Sequence, residues 1–228
     1  MFFVCLVAGS VMRRGPFEPN FDDLPLQIPL FPLPGALLLP GGKLPLNIFE
    51  PRYLAMVKDA MASPHRLIGM IQPVTDDSGK TLYDVGCAGR ISEFSESDDG
   101  RLLITLSGTA RFRYHGDMLA SSGYLLGDVD FAAFEDDLQP DSQVIDRAKL
   151  TAILKSYFEV KGFSADWDHI DDCEDERLVT TLAMICPLGV SEKQALLESP
   201  DLAHRTELLI AMLEMAVHSP SQAGTAPH

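Results

Sequence analysis

The sequence predicts an α+β fold, with a β-rich first half carrying one short helix and a helical second half. Two patterns carry this expectation. Between Leu24 and Phe131 apolar residues alternate in short runs punctuated by Gly and Pro, the signature of strands and turns. Further on, Leu150, Ile153, Leu154, Tyr157 and Phe158 recur at i, i+3, i+4, i+7 and i+8, one face of a helix. The expected divisions are a flexible leader over 1–23, a β-rich unit over 24–133, a helical unit over 134–218 and a disordered polar tail over 219–228.

Taken in order, Leu26, Ile28 and Leu30 share a face of the first strand. Pro29 lacks a backbone donor, which predicts an edge position or a terminal bulge. Short strands are expected at Ala36–Leu39 and Leu44–Phe49, separated by Pro40-Gly41-Gly42. A helix is expected from Pro51 to Ala62, with proline at its first position and Leu54, Val57 and Met61 at helical spacing. Strands follow over Arg66–Gln72 and Leu82–Phe94, with Gly86 and Gly89 marking a bulge or a close backbone approach. Asp98-Asp99-Gly100 signals a hairpin. Leu102–Leu106 and an Arg111–Tyr114 segment then read as strands, and Gly123–Phe131 as the last one.

In the second half, Gln139-Pro140-Asp141 opens the first helix, and a second carries Leu178, Leu182 and Ile185 before Pro187 stops it. Ser191 and Gln194 fit a capping box for the third. Ser199-Pro200-Asp201 provides a cap, a first-turn proline and a first-turn acid for the fourth.

Length and charge narrow the function classes. The 228 residues suffice for one large domain or two small subdomains. With 46% hydrophobic and 22% charged residues the chain is not a disordered one. Its net charge of −15, with Arg and Lys scattered singly, opposes nucleic acid and anionic membranes as partners. Cys5, Cys87, Cys173 and Cys186 form no Cys-x-x-Cys pair, so reduced thiols in a cytoplasmic protein are expected. The apolar stretch Met1–Val11 is followed, not preceded, by Arg13-Arg14 and is too short to span a membrane. It reads as a frayed extension with Met12 as a second candidate start; a weak export signal is the alternative.

No catalytic or metal motif stands up. Gly79-Lys80-Thr81 lacks the glycine that a phosphate-binding loop needs at position 74, where Val74 stands. Ser191 and Lys193 are two residues apart at a helix start and cannot face each other. The six histidines show no His-x-x-x-His spacing. The acidic run from Asp166 to Glu176 lacks the central glycine of a calcium loop; it reads as a solvated linker and an acidic first turn. No cofactor and no catalytic residue are expected.

The run Ile28-Pro-Leu-Phe-Pro-Leu-Pro-Gly35, followed by Leu44-Pro-Leu-Asn-Ile-Phe-Glu-Pro-Arg-Tyr53, resembles the opening of the LON domain family. Tyr83–Ile91, the Leu102–Arg113 stretch (read as strand, turn and arginine-bearing strand), and Cys186-Pro187 with Glu192–Leu197 are similar to later parts of it. The resemblance covers about Leu24 to Val217. It implies a PUA-like β pseudo-barrel followed by a helical bundle, and the substrate-recognition part of the ATP-dependent Lon (peptidase S16) proteases. Neither their ATPase nor their Ser-Lys protease domain fits in the remainder of this chain.

The expected function is therefore that of a stand-alone module binding unfolded protein or peptide without covalent chemistry. The alternatives are a detached accessory or regulatory subunit of an ATP-dependent protease and, more weakly, an RNA-binding PUA-like module. Candidate binding residues are Phe49, Glu50, Arg52 and Tyr53 at a strand-to-helix corner, and Arg111 and Arg113, which alternate with Phe112 and Tyr114. The loops Leu33–Leu39 and Gly41–Leu46 supply further apolar surface.

Overall fold

The computed structural model describes residues 19–74, 81–139 and 143–218. The leader to residue 18, the Gly79-Lys80 pair, Pro140-Asp141 and the tail from Ser219 lie outside the described residues. The fold is α+β. Its strands are β1 (Gln27–Pro32), β2 (Lys43–Ile48), β3 (Leu67–Ile71), β4 (Val85–Glu96), β5 (Leu102–Leu119) and β6 (Leu125–Asp130). The helices are α1 (Pro51–Ala62), α2 (Arg147–Lys161), α3 (Trp167–Asp171), α4 (Asp175–Ile185), α5 (Val190–Glu198) and α6 (Leu202–His218). Short 3₁₀ turns lie at Phe21–Asp23 and Ala132–Leu138.

The strands form one mixed sheet ordered β2-β5-β4-β3-β1-β6, and β6 pairs back onto β5. Five strands therefore close on themselves, and β2 hangs on the outside of β5. Closure removes most free edges. Beside the barrel, the early part of β5 with β2 and the far end of β4 makes a three-stranded antiparallel arm: Leu46 and Phe94 both pair with Ile104.

Pro29 does not mark an edge. β1 pairs parallel with β3 and antiparallel with β6. The Leu26 carbonyl accepts from Val129 N, so alternate residues Ile28 and Leu30 bond to β6. The nitrogen of Pro29 faces β3, one residue before that ladder begins at Leu30. Pro29 therefore sits where the ladder with β3 stops, its nitrogen opposite Leu67.

Two further expectations are corrected. Ala36–Leu39 is no strand: it joins none of the sheet's ladders, and Leu37, Leu38 and Leu39 are all buried as a loop against the core. Leu102–Arg113 contains no turn, since β5 is one strand of 18 residues. The register shifts there, Ala88 pairing with Ala110 but Gly89 with Gly108, so Thr109 is the extra residue of a bulge. The bulge bends β5 where a turn was expected.

Glycines permit this packing. A Cβ at Gly86 would collide with the Phe112 ring and lie 2.7 Å from the Met70 carbonyl, and one at Gly108 would overlap the Leu39 carbonyl. Phe112 fills the barrel with Ile28, Leu30, Leu67, Ile71 and Val129, and meets Phe131 edge-on at 6.2 Å. A second, larger cluster joins the outer faces of β3 and β4 to α1, Leu37–Leu39 and the helical half. One apolar core thus spans both halves of the chain.

Helix α1 has the expected bounds, and α4 ends before Pro187. The other starts shift to better caps. Asp146 caps α2 by accepting from Lys149 N at 2.9 Å, so the helix begins after Asp146 rather than at Gln139. Helix α5 starts after Gly189, whose N–H donates to Glu192 at 2.6 Å; Ser191 is not its cap. Asp201 accepts from His204 N at 2.8 Å to open α6, while Ser199 donates to the Ala195 carbonyl at 3.0 Å. The acidic run holds a helix, α3, capped by Asp166 and anchored by buried Ile170; Asp175 and Glu176 form the acidic first turn of α4.

Gly108→Ala should destabilise the protein by about 1–3 kcal/mol through overpacking against fixed backbone. A urea unfolding midpoint close to that of the parent chain would contradict this.

Candidate functional site

The strand-to-helix corner is built on Pro51. Its ring fixes φ at the first helical position, and the Glu50 carbonyl accepts from Tyr53 N and Leu54 N, both at 2.9 Å. The Glu50 side chain does not cap the helix. It holds Arg52, with Nε at 3.0 Å and Nη2 at 2.9 Å from Oε2. The Arg52 guanidinium in turn lies 4.5 Å from the centre of the Tyr53 ring, a cation–π contact. Tyr53 itself leans on Phe31 at 4.3 Å and is buried. Burial raises the Tyr53 phenol above its ordinary pKa; Arg52 opposes this and Glu50 adds to it.

Phe49 lies on the outside of the same corner. It is 62% exposed, a large apolar side chain left to solvent. Arg101, from the tip of the β4–β5 hairpin, stands 5.8 Å over its ring and is held by Asp99 at 2.8 Å. The β5–β6 turn closes in from the other flank: a Cβ at Gly123 would lie 3.8 Å from Arg52 Cβ. Beside it Tyr124 donates to Asp59 at 2.8 Å. Burial, then this bond, push the Tyr124 phenol up to about 12. The two ends of β5 thus frame the start of α1. The result is an exposed phenylalanine under the Asp99-held Arg101, next in the chain to a corner where Glu50, Arg52, Tyr53 and Phe31 brace one another.

Arg111 and Arg113 are elsewhere. Both stand against Phe134, at 4.6 and 5.9 Å from its ring. Arg113 is exposed and pairs in register with Asp130. Arg111, expected on an exposed charged face, is 5% exposed. It makes a bidentate pair with Asp137, at 2.7 to 3.1 Å, and donates to the carbonyls of Leu197 and Ser199 at 3.1 and 2.6 Å. Those bonds occupy it internally, and it is closed to any client.

Three polar residues to which the sequence reading gave no bridging role share this junction: Gln72, Lys193, weighed only against a serine–lysine pair, and Gln194, read only as part of a cap. Gln72 accepts from Gly35 N and donates to the Val190 carbonyl and Gln194. Gln194 donates to the Val85 carbonyl and Glu198. Lys193 donates to the carbonyls of Gly35 and Met184 at 2.8 and 3.1 Å; burial lowers its pKa. The sequence signal was a Lys-Gln pair on a short helix, preceded by Glu192 and followed by Ala195-Leu196-Leu197, which reads equally as solvated surface.

The three described cysteines are held as thiols. Burial raises the thiols of Cys87 and Cys173, and that of Cys186 to about 11, which suppresses the reactive thiolate. No group of three or more metal-binding side chains occurs among the described residues. A cleft between the start of α2 and α6, lined by Val144, Ile145, Thr206 and Ile210, includes none of the candidate residues.

The family model for the ATP-dependent protease La (LON) substrate-binding domain matches residues 27–215. The chain belongs to the LON substrate-binding domain family. This LON domain is 26% identical over 218 residues to Lon protease 2 of Myxococcus xanthus, covering 90% of the chain and 26% of that protein. It is 25% identical over 202 residues to a Lon protease of Anaeromyxobacter dehalogenans, covering 85% of the chain and 24% of that protein. The chain thus spans about a quarter of the length of these relatives. Among solved structures, it resembles a Lon N-terminal domain protein from Xanthomonas campestris, with TM-score 0.56 and 27% identity over 81% of this chain and 97% of that one. The N-terminal domain of a Mycobacterium avium complex Lon protease shares the fold, with TM-score 0.61 and 18% identity over 82% and 98%.

Arg111→Met should leave Asp137 buried and unpaired and cost about 3–5 kcal/mol. Adding Asp137→Leu should recover much of that loss. Equal urea midpoints for the single variant and the parent would show the pair to be dispensable.

Proposed function

We propose that this LON domain binds extended or unfolded segments of other proteins non-covalently, with no ATPase or peptidase chemistry of its own. Exposed Phe49 beside the braced Glu50–Tyr53 corner carries this reading. An apolar side chain of that size at 62% exposure loses contact with water when a client covers it, and Tyr53 and Arg52 are already held and need no ordering. Glu50 and Arg52 satisfy each other, so an apolar segment meets little unpaired charge. Arg113 is a peripheral contact in this reading, and Arg111 a structural residue. The closed barrel is compatible with the PUA-like label, but the net charge of −15 argues against an RNA ligand. No helix among the described residues is long and apolar enough to cross a membrane. We place the protein in the cytoplasm, which the unpaired Cys87, Cys173 and Cys186 support.

A second reading, an accessory or regulatory part of an ATP-dependent protease, is favoured by one observation: the matched relatives are Lon proteases about four times longer. In that case delivered clients are degraded only when the protease and ATP are both present.

Fluorescence anisotropy of a labelled, permanently unfolded protein, titrated with the full chain, tests the first reading. Saturable binding that survives high salt is expected, with Phe49→Ser weakening it about tenfold. No binding well above micromolar protein would overturn it.

A further inference from the structure

The three-stranded arm has two outer edges, and they differ. On β2, Gly108 N donates to the Gly42 carbonyl at 2.8 Å, so by alternation Leu44, Leu46 and Ile48 bond to β5. Lys43, Pro45 and Asn47 face outward, and Pro45 has no N–H. That edge is blunted in the manner of natural edge strands. On β4, pairing with β3 ends at Arg90, with a last bond from Ile91 N to the Arg66 carbonyl. Beyond it, Ser97 N donates to the Arg101 carbonyl at 3.0 Å. Counting back, Ser95 and Glu93 bond to β5, and the N–H and C=O of Phe94 and Glu96 point away from the sheet. Residues 92–96 are all exposed and contain no proline.

We infer that this edge of β4 is a docking site for an extended, cationic and apolar polypeptide segment, which adds to the sheet as a further strand. The inference rests on the reading of the chain as a polypeptide binder and supplies the mode of binding. Backbone groups give affinity in such an addition, and alternate side chains give specificity. Phe94 supplies the apolar part: it pairs with Ile104, which pairs with Leu46, and it is 44% exposed at the open end of that row. The row Leu46–Ile104–Phe94 therefore ends at an unfilled position, which an apolar residue of an added strand would occupy.

Charge selects the partner. Glu93, Glu96, Asp98 and Asp99 cluster at this edge and its turn. Glu93 is shared with Lys43 at 3.6 Å, and Asp99 with Arg101; Glu96 and Asp98 have no ion pair among the described residues. A second copy of the same edge would bring the same glutamates against them, and like charges across a strand pair destabilise it. A segment alternating Lys or Arg with β-branched residues meets both demands. Its bonding residues lie on the face that Phe94 and Glu96 share, and its cationic ones lie beside Glu93 on the other, with Glu96 and Asp98 acting on them at longer range.

A short fluorescein-labelled peptide of alternating Lys and Val tests this, titrated with the full chain at low salt. Saturable binding is expected, with hydrogen-exchange protection appearing at the Phe94 and Glu96 amides. N-methylation of the valine amides should weaken binding about tenfold, and of the lysine amides hardly at all. Glu93→Lys, an exposed change on the face that the lysines would share, should also weaken it. Equal effects from both methylated peptides, or protection at Phe49–Tyr53 in place of Phe94 and Glu96, would overturn strand addition while leaving the corner as the binding surface. Binding of the unfolded protein without binding of the peptide would also overturn it. Failure of both ligands to bind would remove both readings together.

Discussion

The arrangement of the two halves depends on one buried guanidinium. Arg111 leaves a barrel strand and ends among groups of the helical half. A charge at that depth is tolerated only when it is paired and its remaining donors are satisfied. Asp137 supplies the charge. The carbonyls of Leu197 and Ser199 supply acceptors, and they are groups that the end of α5 leaves without intrahelical partners. Arg205 takes the Leu196 carbonyl in the same way, at 3.0 Å. Two guanidiniums therefore sit at the negative end of α5, where the helix dipole favours cations. Gln72, Gln194 and Lys193 tie the other turns of α5 to the barrel. Apolar contact alone would allow α5 to slide; these directional bonds fix where it docks.

That rigidity gives the surface its character. The corner at α1 is held from below by Phe31 and the core, and on its flanks by two hairpin tips. Tyr53 there has little freedom left to lose, so in the proposed function a client would not first have to order it. The arm beside it is differently made. It is held by β5 along its centre, and among the described residues no strand pairs with its β4 margin. The molecule thus combines a pre-set corner with an open strand edge.

Much of the fold was legible because local chemistry and tertiary structure agree. Pro51 and the spacing of Leu54, Val57 and Met61 defined α1, and Asp98-Asp99-Gly100 marked the β4–β5 turn, where Gly100 adopts φ +81°. The failures share a cause: each needed knowledge of a distant partner. Pro29 was sound evidence for an edge or a bulge, but only the register with β3 shows that it sits where that ladder stops. Leu37–Leu39 looks like a strand until the surrounding core claims all three side chains. The alternation Arg111-Phe112-Arg113-Tyr114 correctly separated two faces, yet gave no sign that Asp137 and α5 would cover one of its arginines. Asp166 to Glu176 hid α3 because its acids masked the Trp167–Ile170 spacing that anchors it. At the site, the Glu50–Tyr53 corner could be read from a proline and its neighbours. The placement of Arg101 over Phe49 could not, since the two lie on elements far apart in the chain.

The pairing of β1 with β6 has a bearing on how the chain is made. Gln27 and Asp128, which face each other across that ladder, are separated by 101 residues. At ribosomal rates of roughly 5–20 residues per second, β1 leaves the ribosome about 5–20 seconds before the strand that closes the barrel over it. During that interval Ile28 and Leu30 have no finished interior to enter. β1 is then an exposed apolar ribbon of the kind that folding helpers shield. A protein that we read as a holder of unfolded chains must first pass through that condition itself.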